Sequence, residues 1–568
     1  MGPQGGRGPA APDKVCSLEE ALARHVSPGD CVHVVATHCR WTAAARELAR
    51  QHWGTDAGFT LVMVSLGSLS ALFFRGGMVS RVVTAYSGDS FPTYTPNPIF
   101  QAAYSSGQVE VEHWSILTFA QRLEAAARGL PAAVTGSLEG SSMADNPGYA
   151  RAASPFGELG LVAPLHPDVA LLHAPLADRA GNVAFSGPQL EGLWGAWAAR
   201  RGAVVTVEQV VEDISPWGHL VQVPAHRVLA VVEAPFGCHP GGLYAPGLPV
   251  QSFGEDIPFW SEAARAARQD FDRWAKHWAL EPADQDQYLE RLGRGRLEWL
   301  RGRSDPDSWR EDQRAHPVDE ASPPTRWEQA AALGAREVER EVAATGADAV
   351  LAGAGVANLA AWVGVDRARA AGREVVLTAE LGLWGYRPTP ADPYIFNHRV
   401  FPRTPMLADA GRVLGMVVGG PGTVTVGCLG AAQVDREGNL NSTAVPGGPF
   451  LVGSGGGNDV ASRADRVVVV TTSGPRRLVE RVGYVTSPGT RVGAVVTEAG
   501  VLRRRDGELW LSAVPGGEGP LDQRVRRAVE SCGWELRVER QVEELAPVGL
   551  DEALALRRYD PEGLFLSD

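Results

Sequence analysis

Glu374-Val375-Val376-Leu377-Thr378-Ala379-Glu380-Leu381-Gly382-Leu383 joins a short apolar and β-branched run to a carboxylate and a glycine. The run at 375–378 reads as a buried parallel strand. Ligands of open α/β sheets gather at the carboxyl ends of such strands, and Glu380 stands at one. A carboxylate is ionised at neutral pH and attacks without a general base, so Glu380 is the candidate nucleophile. The bland alternative is an N-cap or a solvated turn acid.

Working outward, residues 328–345 read as a helix, 347–351 as a strand and 355–370 as a helix, which places Glu380 in β-α-β alternation. The same alternation occupies the first half. A helix at 17–25 with the capping-box pair Ser17 and Glu20 leads into strands at 31–36, 59–65, 79–84 and 109–112. Further strands follow at 168–173, 203–207 and 227–233, and polar helical sequence fills 271–300. Residues 303–326 carry Asp, Ser, Glu, Arg and Pro with little apolar content and read as a linker. The halves share a motif: Asp178-Arg179-Ala180-Gly181-Asn182-Val183 recurs as Asp435-Arg436-Glu437-Gly438-Asn439-Leu440, each after an apolar strand and before a valine-rich one. Duplication is the better account of that match than chance. The expected domains are a disordered tail at 1–15, a first domain at 16–302, the linker at 303–326 and a second domain at 327–568.

Composition excludes several classes. A chain of 568 residues with 44% apolar content exceeds one core. A net charge of −13 supplies no basic face for nucleic acid. No apolar run approaches a membrane span, and 1–13 lacks the core of a signal peptide, so a cytoplasmic location is expected. Six scattered cysteines read as reduced core thiols, and neither they nor the thirteen histidines show metal-ligand spacing, so no metal site is expected. Only Lys14 and Lys276 are lysines, in positions unsuited to a phosphate loop or a Schiff base. Anions must be held by arginine or backbone N–H groups.

Three stretches carry candidate chemistry. In Gly453-Ser454-Gly455-Gly456-Gly457-Asn458-Asp459, successive unblocked amides can form a concavity for a phosphate or an oxyanion; a surface turn is the alternative. Asn439-Leu440-Asn441-Ser442-Thr443 either orients a ligand or caps a turn. Gly353-Ala354-Gly355-Val356-Ala357-Asn358 approaches a dinucleotide fingerprint but lacks its third glycine, and a tight turn explains it as well. Cys238-His239 are neighbours, and sequence neighbours seldom point at each other.

Glu380-Leu381-Gly382-Leu383, the run from Gly430 through Asp435 into Gly438-Asn439-Leu440-Asn441-Ser442-Thr443, Gly453-Ser454-Gly455-Gly456 and Tyr484-Val485-Thr486-Ser487-Pro488-Gly489 together resemble the β subunit of the family I CoA-transferases, above all the glutaconate branch. The first half resembles the α subunit through Ala234-Pro235-Phe236-Gly237-Cys238-His239-Pro240 and residues 286–297. The resemblance implies two related, open, largely parallel α/β domains packed face to face, fused in one chain. It implies transfer of CoA from an acyl-CoA to a small carboxylic acid through a glutamyl-CoA thioester on Glu380. Coenzyme A thioester would then be substrate, with no tightly bound cofactor. Gly455 and Gly456 become oxyanion donors, Gly453, Asn439 and Asn441 CoA-binding candidates, and Arg387 and Arg399 candidates for a carboxylate. A homodimer follows from the family's assembly. Val35-Ala36-Thr37 departs from the family's Gly-Gly-Phe in a loop on the substrate side. An acyl-CoA hydrolase, or an acyltransferase to an amine or hydroxyl, is the competing reading on this fold.

Overall fold

The computed structural model describes residues 12–35, 37 and 40–568, so Ala36, His38, Cys39 and most of the expected tail lie outside the described residues. Lys14 and Val15, expected within that tail, are held by the fold. Lys14 donates its N–H to the Arg179 carbonyl (2.9 Å), and Val15 bridges to Val231 in parallel, so these residues extend the first sheet.

Among the described residues that sheet has nine strands. Cys31–Val34 lies near its centre, parallel to Phe59–Val62 on one side and to Val169–Asp178 on the other. Val79–Thr84 and Glu110–His113 continue one edge, and Gly202–Val211 and Val228–Glu233 the other. The capping box at Ser17 is present and opens the helix Leu18–His25.

The second sheet has ten strands among the described residues. Val376–Ala379 is parallel to Ala349–Ala352, which is parallel in turn to Thr425–Leu429, then Arg466–Val470 and Val492–Thr497. Helices Arg326–Thr345 and Val356–Ala370 cover it. One apolar core runs through both halves, with Val64, Trp114 and Phe119 from the first joined to Leu381, Leu414 and Val460 from the second. Two open, largely parallel α/β domains therefore face each other.

The internal repeat is a repeated turn. Asp178 accepts the N–H groups of Gly181 and Asn182 (both 2.8 Å) and the Asn182 side-chain amide (2.7 Å). Asp435 accepts those of Glu437 (3.0 Å) and Asn439 (2.9 Å) and the Asn439 amide (3.1 Å). Residues 303–326 are more than a linker: they hold the helix Trp309–Ala315, whose Asp312 takes two 2.7 Å bonds from Arg303. No helix among the described residues is long and apolar enough to cross a membrane.

Candidate functional site

Val376–Ala379 turns back at once into the antiparallel strand Leu383–Tyr386, with Ala379 opposite Leu383. Glu380, Leu381 and Gly382 form the tight connection, and Gly382 takes φ +117°, a conformation that favours glycine. Parallel strand, sharp turn and half-buried carboxylate come together at Glu380.

The glycine loop meets it from the other side. The Gly456 N–H donates to the Glu380 carboxylate. A Cβ on Gly456 would come within 2.1 Å of Glu380 Oε2, so only glycine lets the carboxylate reach that amide. The neighbouring amides do not take part, which corrects the expectation for this loop. Gly455 gives its N–H to the Ala85 carbonyl (2.9 Å), and Gly453 gives its own to Ser442 (2.9 Å). Their role is to stitch the loop to the first domain, where Tyr86 bridges Gly453 and the Ile116 N–H reaches the Gly455 carbonyl (3.1 Å).

Burial pushes the Glu380 carboxyl up to about 7, the nearby Asp459 carboxylate adds to the rise, and the Gly456 N–H opposes it. Asp459 is itself buried and raised to about 6 by burial. Its carboxylate accepts the Ser115 hydroxyl (2.6 Å) and the Leu117 N–H (3.0 Å) at the start of the helix Ile116–Ala127 of the first domain. The Tyr94 phenol is held above its ordinary value by burial and then by the charge of Glu380, so it lies near that carboxylate. Sequence reasoning assigned neither residue. Asp459 closes the quoted glycine run, a signal that was there to use; Tyr94 comes from the other domain and carries none.

Other expected ligand-binding residues spend their polar atoms on the fold. Asn439 bonds Asp435 and accepts the Gly489 N–H (2.8 Å). The Asn441 amide donates to Gln433 (2.9 Å) and to the Ala444 carbonyl (2.8 Å), while its oxygen accepts the Thr443 N–H (3.0 Å). Arg399 is buried against Asp312 (2.7 Å) and Asp392 (3.5 Å). Each of the three therefore has partners within the fold itself. Arg387 is exposed just beyond Leu383–Tyr386. Gly353, of the dinucleotide-like run, packs against the Cys428 carbonyl as a turn residue.

Residues 15–234 match the family model described as Coenzyme A transferase. Over 313 residues the chain is 28% identical to the A-type subunit of glutaconate CoA-transferase from Acidaminococcus fermentans, covering 50% of this chain and 93% of that one. It is 30% identical to the beta subunit of acetate CoA-transferase from Escherichia coli, covering 26% of this chain and 70% of that one. The A-type and B-type relatives match different parts of the chain. The fold is that of the acyl-CoA transferase YdiF of Escherichia coli O157:H7, solved as a CoA thioester complex: TM-score 0.65, 16% identity, 96% of this chain and 97% of that one.

Proposed function

This chain belongs to the coenzyme A transferase family, with A-type and B-type parts fused in one polypeptide, and on that premise we propose that Glu380 carries CoA from an acyl-CoA to a carboxylic acid as a covalent thioester. Glu380 attacks the thioester carbonyl, giving an acyl-glutamyl anhydride and CoA thiolate. The thiolate then attacks the glutamyl carbonyl and expels the first carboxylate, leaving glutamyl-CoA. The acceptor carboxylate reverses both steps. Acyl-CoA and a small carboxylic acid are the substrates, and no resident cofactor is invoked.

The observation that carries this reading is the Glu380 carboxylate seated on the Gly456 amide between the two domains. When the glutamyl carbonyl is attacked, its oxygen gains negative charge at an amide already aimed at it, the preorganisation that stabilises such intermediates. Partial burial keeps water from competing with the acceptor. By family assembly the chain forms a homodimer, which sedimentation measures directly.

Isotope exchange tests the chemistry. A double-displacement enzyme given one acyl-CoA and the labelled form of the same acid moves label into the thioester with no second acid present, and Glu380→Ala abolishes the exchange. Steady thioester loss without exchange, unchanged in Glu380→Ala, would instead identify a hydrolase or an acyltransferase.

A further inference from the structure

We propose that His173, Glu208 and Cys238 bind a zinc ion in the first domain. Their spacing in the chain gives no hint of a site; the fold brings an imidazole nitrogen, a carboxylate oxygen and a thiol sulfur within 4.8 Å of one another. His173 lies on Val169–Asp178, opposite Thr206 of Gly202–Val211. Glu208 is two residues beyond Thr206 and so on the same face. Cys238 comes from the loop after Val228–Glu233. That loop presses closely on the imidazole, since a Cβ on Gly237 would come within 2.4 Å of His173 Nδ1.

The donor set is a soft thiolate, an imidazole and a carboxylate, which suits zinc and leaves one position of a tetrahedron for water or another donor. Thiolate and carboxylate cancel the charge of a divalent ion, so the filled site is neutral where charge is costly. The partners behind the donors are also in place. His173 Nδ1 bonds Thr206 Oγ1 (3.0 Å), which fixes the ring and leaves Nε2 for the ion. The second Glu208 oxygen accepts the Phe236 N–H (3.0 Å). Without an ion, Nε2 rests 2.8 Å from Glu208. Zinc takes the place of that contact on Nε2 of the neutral ring, whose proton then sits on Nδ1 toward Thr206 Oγ1, and the thiol proton of Cys238 is released to solvent. Cys238 and His239 diverge, as His239 turns to Tyr288 (2.6 Å) and Asp256 (2.9 Å).

The test uses the full chain with any affinity tag removed. Elemental analysis is expected to find about one zinc per chain. Cobalt(II) added to the zinc-free chain is expected to give a thiolate-to-cobalt charge-transfer band in the near ultraviolet, lost in Cys238→Ala. Thr206→Val, which removes the hydroxyl partner of His173 and no zinc donor, weakens zinc binding about 10–100-fold. If Cys238→Ala fails to fold, the wild-type stoichiometry and Thr206→Val decide the matter. A chain without zinc and without the band overturns the proposal, as does a band that survives Cys238→Ala. None of these readings depends on acyl transfer.

Discussion

On the proposal that Glu380 attacks, its carboxyl must first lose its proton, and burial pushes that carboxyl up to about 7. The predicted kcat/KM profile therefore rises through about pH 7 instead of being flat above pH 5. Asp459→Asn removes the neighbouring charge and moves that midpoint toward acid, with one of the bonds accepted from Ser115 and Leu117 kept by the amide oxygen. Stability runs the opposite way. With the folded carboxyl raised from 4.5 to about 7, the native chain holds a proton that the unfolded chain has lost, so stability falls as pH rises between those values and stays reduced above them. Glu380→Gln is expected to raise Tm over wild type by more at pH 8 than at pH 4.5, while abolishing transfer. Gly456→Ala puts a methyl group against Glu380 Oε2 and is expected to lower kcat about 10²-fold or more with little change in fold, read by kinetics beside circular dichroism.

Among the elements, local chemistry was legible and long-range chemistry was not. The strand before Glu380 lies one residue later than expected, at Val376–Ala379, because its apolar run fixes the element but not its ends. The repeated Asp-Arg-x-Gly-Asn motif was visible, yet its purpose was not: N–H groups fold onto Asp435, and the Gly489 N–H onto Asn439, which makes Asn439 a turn residue. Asn439→Ala should therefore cost about 1–2 kcal/mol in denaturant unfolding and leave the KM for acyl-CoA unchanged. Tyr94, and the grouping of His173, Glu208 and Cys238, depend on pairings between distant segments that no local spacing records.

For the whole molecule, the site exists because the two domains meet. Ala85, Tyr86 and Ile116 of the first hold the glycine loop of the second, Leu190 gives its N–H to the Leu381 carbonyl beside Glu380 (3.0 Å), and Leu138 gives its own to Asn458 (2.9 Å). This interface was implied by family resemblance and could not be read from either half alone. Because noncovalent contacts make it, a chain cut in the exposed stretch at 317–322 should still assemble from co-expressed pieces and keep most of its transferase activity. The central claim is that Glu380 becomes covalently loaded. Intact-mass measurement of the chain after incubation with a panel of acyl-CoAs, with borohydride reduction and peptide mapping, tests it most directly. A CoA-sized adduct or a reduced residue mapping to Glu380, absent from Glu380→Ala, is the predicted result. Disappearance of thioester with no adduct, in a Glu380→Ala chain as active as wild type, would contradict it.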